Sequence, residues 1–287
     1  MAMPTDKNAD RYFGASFALL TKHGKEGAIG PLFQKALGAG VVHVDSFDTD
    51  TLGTFTRDVP RAGSQLDAAR RKAELAIEMT GLEFGLGSEG SFVPGPFGLA
   101  PLDLEVIVLV DRRLGLEITG VATAHGHQAS GTFDSEERLE EFARQMLFPS
   151  HGLILRPNGP DDPRLFKDSS DFDSLAAAFR VCVGLSVGGS VFAESDLRAH
   201  RNPTRMKTIG EACADLLRRM QTACPGCGKP GFGLAKKVPG LPCSWCGAPT
   251  NDFLGEEFKC PHCAHSETRP IPGCTKADPA HCPLCNP

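Results

Sequence analysis

Nine of the eleven cysteines fall between residues 224 and 285, and eight of these form four Cys-x-x-Cys pairs. The pairs are Cys224/Cys227, Cys243/Cys246, Cys260/Cys263 and Cys282/Cys285. At this spacing a tight turn points two thiolates at one tetrahedral ion, and the Pro and Gly residues in and around the pairs favour such turns. A redox dithiol occurs once on an α/β scaffold rather than four times in a Gly/Pro-rich tail. Disulfides are disfavoured by the paired spacing and by a start, "MAMPTDKNADRY", with no hydrophobic signal region. The expectation is about two structural Zn²⁺ on these eight thiolates. Pairing in chain order, first with second and third with fourth, is favoured over a cross-brace, although spacing alone does not decide. Cys274, His262, His265 and His281 are spare donors.

A second set of residues suggests phosphate chemistry. "GLEFGLGSEGSFVPGP" (81–96) carries one carboxylate, Glu89, between Ser88 and Gly90, where the composition reads as a strand leading into a tight turn. "TKHGKE" (21–26) lies where a strand hands over to a helix, so that Lys22, Lys25 and the first helical N–H groups can cradle phosphate. Its glycine spacing is not that of a P-loop. "DTDTLGTFTRDVPRAGS" (48–64) contributes Asp48, Asp50, Asp58 and Arg61. "ESDLRAHRNPTRMK" (194–207) crowds charge between a strand and a helix, with Arg205 and His200 as phosphate-reaching candidates. For Arg205→Ala this reading predicts weaker phosphate binding with little loss of stability. Each stretch has a plainer alternative: a surface turn, a solvated loop, or a salt-bridged linker to the tail.

The elements that must position these residues alternate. Strands are predicted at 12–21, 40–47, 83–87, 104–111, 115–123, 152–156 and 189–194, and helices at 25–37, 64–81, 135–147, 172–184 and 203–220. The clearest helix begins at Ser64 with a capping-box-like Asp67 and stops at Gly81. The fold class is therefore α/β, a mixed sheet with flanking helices and a central cleft, plus a small zinc-stabilised C-terminal domain. The organisation is a tail over 1–10, an α/β domain over 11–220 and a zinc-ribbon-like domain over 221–287.

A formal net charge of −5 argues against wholesale nucleic-acid or membrane-surface binding. From 221 to 287 six Lys/Arg face five Asp/Glu, and two Zn²⁺ on eight thiolates would bring the balance to roughly −3. That sign is wrong for a phosphate backbone, so a nucleic-acid partner is weakly supported despite Trp245 and several Phe. No apolar run approaches a membrane span. The expected setting is cytoplasmic, and a homodimer is compatible with the sequence.

The order of these signals resembles the nucleoside triphosphate pyrophosphatase fold of the house-cleaning enzymes for inosine- and xanthosine-type triphosphates. Landmarks there are Thr-Asn-x-x-Lys, then Thr-Arg-x-Gly-Ala with an Arg/Ala-rich helix, then a strand ending Ile-Glu-x-Gly. The matching stretches are Thr21-Lys22-His23-Gly24-Lys25, Pro60-Arg61-Ala62-Gly63-Ser64 and Gly87-Ser88-Glu89-Gly90, within residues 13–130. Lys22 replaces the Asn, and Val59-Pro60 replace a Glu-Thr, so Asp48, Asp50 or Asp58 must supply the missing carboxylate. The whole chain looks like an uncharacterised bacterial family joining such a domain to a Cys-rich end. The resemblance implies a metal-dependent hydrolase of a nucleotide phosphoanhydride, with Mg²⁺ or Mn²⁺ held by Glu89 and an Asp of the 48–58 loop. Lys22, Lys25 and Arg61 would meet the phosphates of a nucleotide or another phosphorylated small molecule. The alternatives are a non-catalytic nucleotide or nucleic-acid binder and a zinc-mediated protein-interaction adaptor.

Overall fold

The structure, a computed structural model, describes residues 9–45, 63–93, 95 and 101–287. A short helix α1 (Ala9–Tyr12) leads into β1 (Ser16–Leu20), α2 (Glu26–Leu37), β2 (Gly40–Val44), α3 (Gln65–Thr80), β3 (Phe84–Val93), β4 (Leu102–Asp111) and β5 (Leu116–His125). These five strands form one mixed sheet in the order β2-β1-β3-β4-β5. β1 runs parallel to both neighbours, and β3, β4 and β5 form an antiparallel meander. "SFALL" is buried along nearly its whole length, as a strand covered on both faces requires.

The two faces are covered differently. α2 and α6 (Pro203–Gln221) pack Ile29, Phe33, Ile209 and Leu216 against Phe17, Leu19, Ile107, Leu109 and Ile118 on one face. α3 covers the other face at very close range. A Cβ on Gly85 would stand 2.1 Å from the Ala73 carbonyl oxygen, and one on Gly87 only 1.8 Å from that of Ala69. Those glycines are spacers between a strand and a helix backbone. The tight turn expected at 87–90 is therefore absent, and β3 runs straight through it to Val93.

Strands expected to share one sheet divide instead between two. β6 (Ser130–Phe133), β7 (Leu153–Arg156) and β8 (Val191–Ser195) form a separate antiparallel sheet in the order β6-β8-β7. α4 (Glu136–Gln145) and α5 (Phe172–Leu185) close its own core around Phe133, Leu139, Leu155, Phe179 and Val191. The joint to α6 is hydrogen-bonded: Gly152 N donates to Arg201 O at 2.8 Å, and His151 Nε2 pairs with Thr204 Oγ1 at 2.9 Å.

The tail forms a third sheet from β9 (Gly233–Pro239), β10 (Phe253–Lys259) and β11 (Ser266–Pro270), antiparallel in the order β11-β10-β9. It follows α6 directly and is tied to that helix. Gly231 N donates to Arg219 O at 2.8 Å, and the Arg219 guanidinium donates to Leu234 O at 2.7 Å. Among the described residues, no helix is long and apolar enough to cross a membrane.

Candidate functional site

The eight paired cysteines gather into two groups of four, Cys224/Cys227/Cys260/Cys263 and Cys243/Cys246/Cys282/Cys285. Within each group the sulfur separations between its two pairs are 3.7 Å for Cys224–Cys263 and Cys227–Cys260, 3.9 Å for Cys243–Cys285 and 3.7 Å for Cys246–Cys282. A tetrahedron with metal–sulfur bonds of about 2.3 Å has edges of about 3.8 Å, so each group can hold one metal ion. Backbone N–H groups of Gly226, Trp245 and His262 point at the Cys224, Cys243 and Cys260 sulfurs. The Cys246 and Trp245 N–H groups lower the Cys243 thiol, favouring its thiolate, while the Cys246 sulfur and burial push the Cys285 thiol of the same group up.

Pairing is a cross-brace, first pair with third and second with fourth, and not the chain-order pairing favoured from the sequence. The antiparallel ladder is the reason. Gly233 at the start of β9 pairs with Lys259 at the end of β10, so the turns before β9 and after β10 meet at one end of the sheet. The turn between β9 and β10 lies at the other end, where Pro270 of β11 pairs with Gly255 and sends the last pair to join it. Of the spare donors, none enters either group. His281 bonds Asp252 at 2.9 Å, His265 packs on the Phe232 ring, and Cys274 is exposed.

In the α/β region, charged side chains converge inside the molecule. Lys25 opens α2 just beyond β1, and its Nζ donates to Ser88 Oγ at 3.0 Å and Ser88 O at 3.2 Å, with Glu105 Oε2 at 3.9 Å. Burial lowers its pKa to about 8, with Glu105 and Glu89 pulling the other way. It therefore stays mainly ammonium at neutral pH and donates to Ser88 rather than taking its proton. Glu105 also holds Arg205 Nε at 2.5 Å, and the same guanidinium reaches Leu197 O at 2.5 Å. On the opposite face, Glu89 is ion-paired with Lys72 of α3. Gln65 clamps the strands there, donating to Glu89 O and Leu104 O at 2.9 Å each. Asp103 lies two residues before Glu105; burial and the Glu105 charge push its carboxyl up to about 6.

This cluster occupies a defined place in the topology. α2 carries the chain from β1 to β2 over one face, and α3 carries it from β2 to β3 over the other. β1 and β3 therefore flank a switch point, and the crevice beyond the carboxyl end of β1 is where open α/β sheets bind ligands. Near that end Lys25, Ser88 and Glu89 are buried, and Lys22 is exposed. His23 and His200 stack beside it with ring centroids 5.3 Å apart. A cavity of about 750 Å³ lies between the two sheets, lined by Phe92, Pro101, Gln128, Phe192 and Glu194.

The sequence-derived candidates fare unequally. Glu89 is buried inside a strand, so the surface-turn alternative falls; it is ion-paired with Lys72, while Lys25 reaches the neighbouring Ser88. Arg205 is buried on Glu105, which contradicts the expectation that its removal costs little stability. Arg198 is tied to Asp196 and Asp168, and Arg201 to Ser169 O, so much of the 194–207 stretch is bonded into the joint. Asp48, Asp50, Asp58 and Arg61 lie outside the described residues. Sequence reasoning missed Lys72, Asp103 and Glu105. The signal for the last two was present: acids at alternate positions of the otherwise apolar "LDLEVIVLVD".

The chain belongs to the DUF6671 family, described as a domain of unknown function, which matches residues 72–287. No curated protein and no solved structure matches the chain. The likeness to triphosphate pyrophosphatases therefore rests on the short motifs alone. The family match takes in Lys72, Glu89, Asp103, Glu105, Arg205 and all eight paired cysteines, and leaves Lys22 and Lys25 outside it.

Proposed function

We propose that the crevice between β1 and β3 binds the phosphate chain of a nucleotide and hydrolyses one of its phosphoanhydrides, with the tail as a Zn²⁺-stabilised module. The observation that carries this reading is Lys25: an ammonium held buried at the carboxyl end of β1, beside Ser88 and 3.9 Å from Glu105, at the switch point of the sheet. A buried cation there is worth more to a phosphate than an exposed lysine, because little water competes for it.

Among the described residues, no group of three carboxylate or imidazole donors gathers at Glu89. Mg²⁺ takes one or two carboxylates together with substrate phosphate oxygens and water, so Glu89 fits as one ligand, with Asp48, Asp50 or Asp58 as the proposed second. Bound there, Mg²⁺ or Mn²⁺ would polarise the phosphates and activate water. Lys72 pairs with Glu89, Lys25 fixes the phosphate chain against Ser88, and Lys22 screens charge at the mouth. The cavity between the two sheets is of the size that takes a base and sugar.

The test is phosphate and pyrophosphate release from a panel of normal and deaminated nucleotides, wild type against Glu89→Gln. The substitution keeps the shape and removes the charge, and should slow turnover roughly 10²-fold. Turnover unaffected by the change would remove Glu89 from the site. One observation favours a second reading, a sensor that binds without hydrolysis: Glu89 is already satisfied by Lys72. Calorimetric nucleotide binding with no turnover would establish that reading instead. For the tail, elemental analysis of protein purified without added metal should give two zinc ions per chain, and a content near zero would sink the assignment.

A further inference from the structure

The four turns that build the two cysteine centres differ in the residue at the third position of each Cys-x-x-Cys. In the proximal centre these are Gly226 and His262; in the distal centre they are Trp245 and Leu284. Gly226 serves the proximal turn with no side chain at all, so ligation does not require a large group there. Yet Trp245 is 79% exposed and Leu284 74% exposed, two of the most solvent-open apolar side chains among the described residues. Phe253 and Leu254 are also exposed, and follow Asp252, whose carboxylate bonds His281 beside Cys282. Large apolar groups left in water around one rigid centre mark a contact surface rather than a core.

Charge indicates what fits it. The distal segments, 240–252 and 271–287, hold one lysine, Lys276, against Asp252 and Asp278. Four thiolates on a divalent ion add a net charge of about −2, leaving the lobe near −3. The remaining cations of the tail sit mostly on its sheet, where Lys236 and Lys259 pair with Glu257 and Arg269 pairs with Glu267. A nucleic-acid backbone would be repelled from the distal lobe. We infer that the distal centre is a docking surface for a basic, leucine- or valine-bearing segment of another protein. Trp245 and Leu284 take its apolar side chain, and the thiolate cage with Asp252 and Asp278 attracts its lysines or arginines. The charge part of this inference rests on the zinc reading of the centre.

Trp245 is the only tryptophan of the chain, so its fluorescence reports this surface alone. The full chain is titrated with a synthetic Lys/Leu peptide, a Lys/Ser peptide and an oligothymidylate, with metal content measured for every sample. A saturable blue shift is expected with the Lys/Leu peptide only, weakened about tenfold in Leu284→Ser at unchanged metal content. An equal response to Lys/Ser, a preference for oligothymidylate, or full affinity in Leu284→Ser overturns the proposal. So does concentration-dependent self-association, seen by sedimentation, that Leu284→Ser abolishes, since a second copy would then cover the surface. Absent zinc overturns the charge argument with it, and shows as missing metal rather than as a missing shift.

Discussion

The α/β region and the tail solve the same problem, placing polar groups accurately, by opposite means. In the first, an apolar frame comes before the charges. Phe17, Leu19, Ile107 and Leu109 fix the sheet, α2 and α6 lock onto it, and only then do Lys25, Glu105 and Arg205 have a dry place to meet. In the tail the order is reversed. Its buried cluster of Cys224, Phe232 and Cys260 is too little to repay the ordering of some sixty residues, so the strands depend on the two cysteine centres and the ions they can hold. The lesson concerns vulnerability: one region tolerates loss of a polar contact if packing survives, and the other tolerates surface change if ligation survives.

The sharpest way to break this contrast is to remove ligands. Replacing Cys243 and Cys246 with Ser should halve the bound metal and release Cys282 and Cys285 to alkylation, while Cys224, Cys227, Cys260 and Cys263 stay protected. Chain-order pairing would instead expose Cys224 and Cys227, which mass-spectrometric mapping of the modified thiols distinguishes. In the same variant the circular dichroism of the α/β region should persist.

A smaller effect probes the other half of the contrast. Arg205→Ala leaves Glu105 buried with Lys25 at 3.9 Å as its remaining cation among the described residues, and should cost about 3 kcal/mol in urea unfolding. Arg205→Met combined with Glu105→Leu should recover most of that loss, because packing then replaces the pair. A double variant as unstable as the single one would show that the ion pair, not the frame, holds this part of the fold.

The smallest effect is set by pH. The Asp103 carboxyl rises from 3.8 to about 6 on folding, so the native state holds its proton more tightly than the unfolded chain. Its stabilising contribution is complete below about 4 and is lost as pH rises through about 6. Asp103→Asn should flatten that part of the stability profile in melts between these limits. Lys25, lowered to about 8, acts in another window: the cost of its burial is full below 8 and is relieved as pH rises towards 10.5.

Much of the frame was legible because local chemistry and tertiary structure agree. Ser64 with Asp67 does form a capping box, and Gly81 does end α3 with a left-handed residue at φ +71°. The "PTRMK" start of α6 was equally readable, with Asn202 accepting the Arg205 N–H and Pro203 at the first turn. What misled was glycine. Gly85, Gly87 and Gly90 suggest a turn by composition, but their purpose is close approach, to α3 for the first two and to Arg205 and Glu105 for the third. A linear reading does not reveal which backbone lies opposite. Cysteine pairing failed for a related reason: three nearly equal gaps carry no information, whereas the antiparallel register of β9, β10 and β11 decides it. Lys72 was invisible as a partner because it lies on a helix otherwise full of solvated charge, and only the packing of α3 on β3 brings it to Glu89.

The interleaved cysteine pairing has a consequence for how the chain is made. During synthesis the turn at 243–246 emerges before the one at 260–263, so for a time the two available pairs are the ones that do not belong together. They are also the closer in sequence, which makes their encounter entropically cheaper than the native one. An ion captured at that moment would tie the nascent tail into the wrong ring. Reaching the native arrangement then means handing each thiolate pair to a later-born one, and the last hand-over waits for Cys285. With metal bound this way, the rate at which the chain leaves the ribosome, relative to the supply of free metal, would become part of what sets the yield of correctly folded protein.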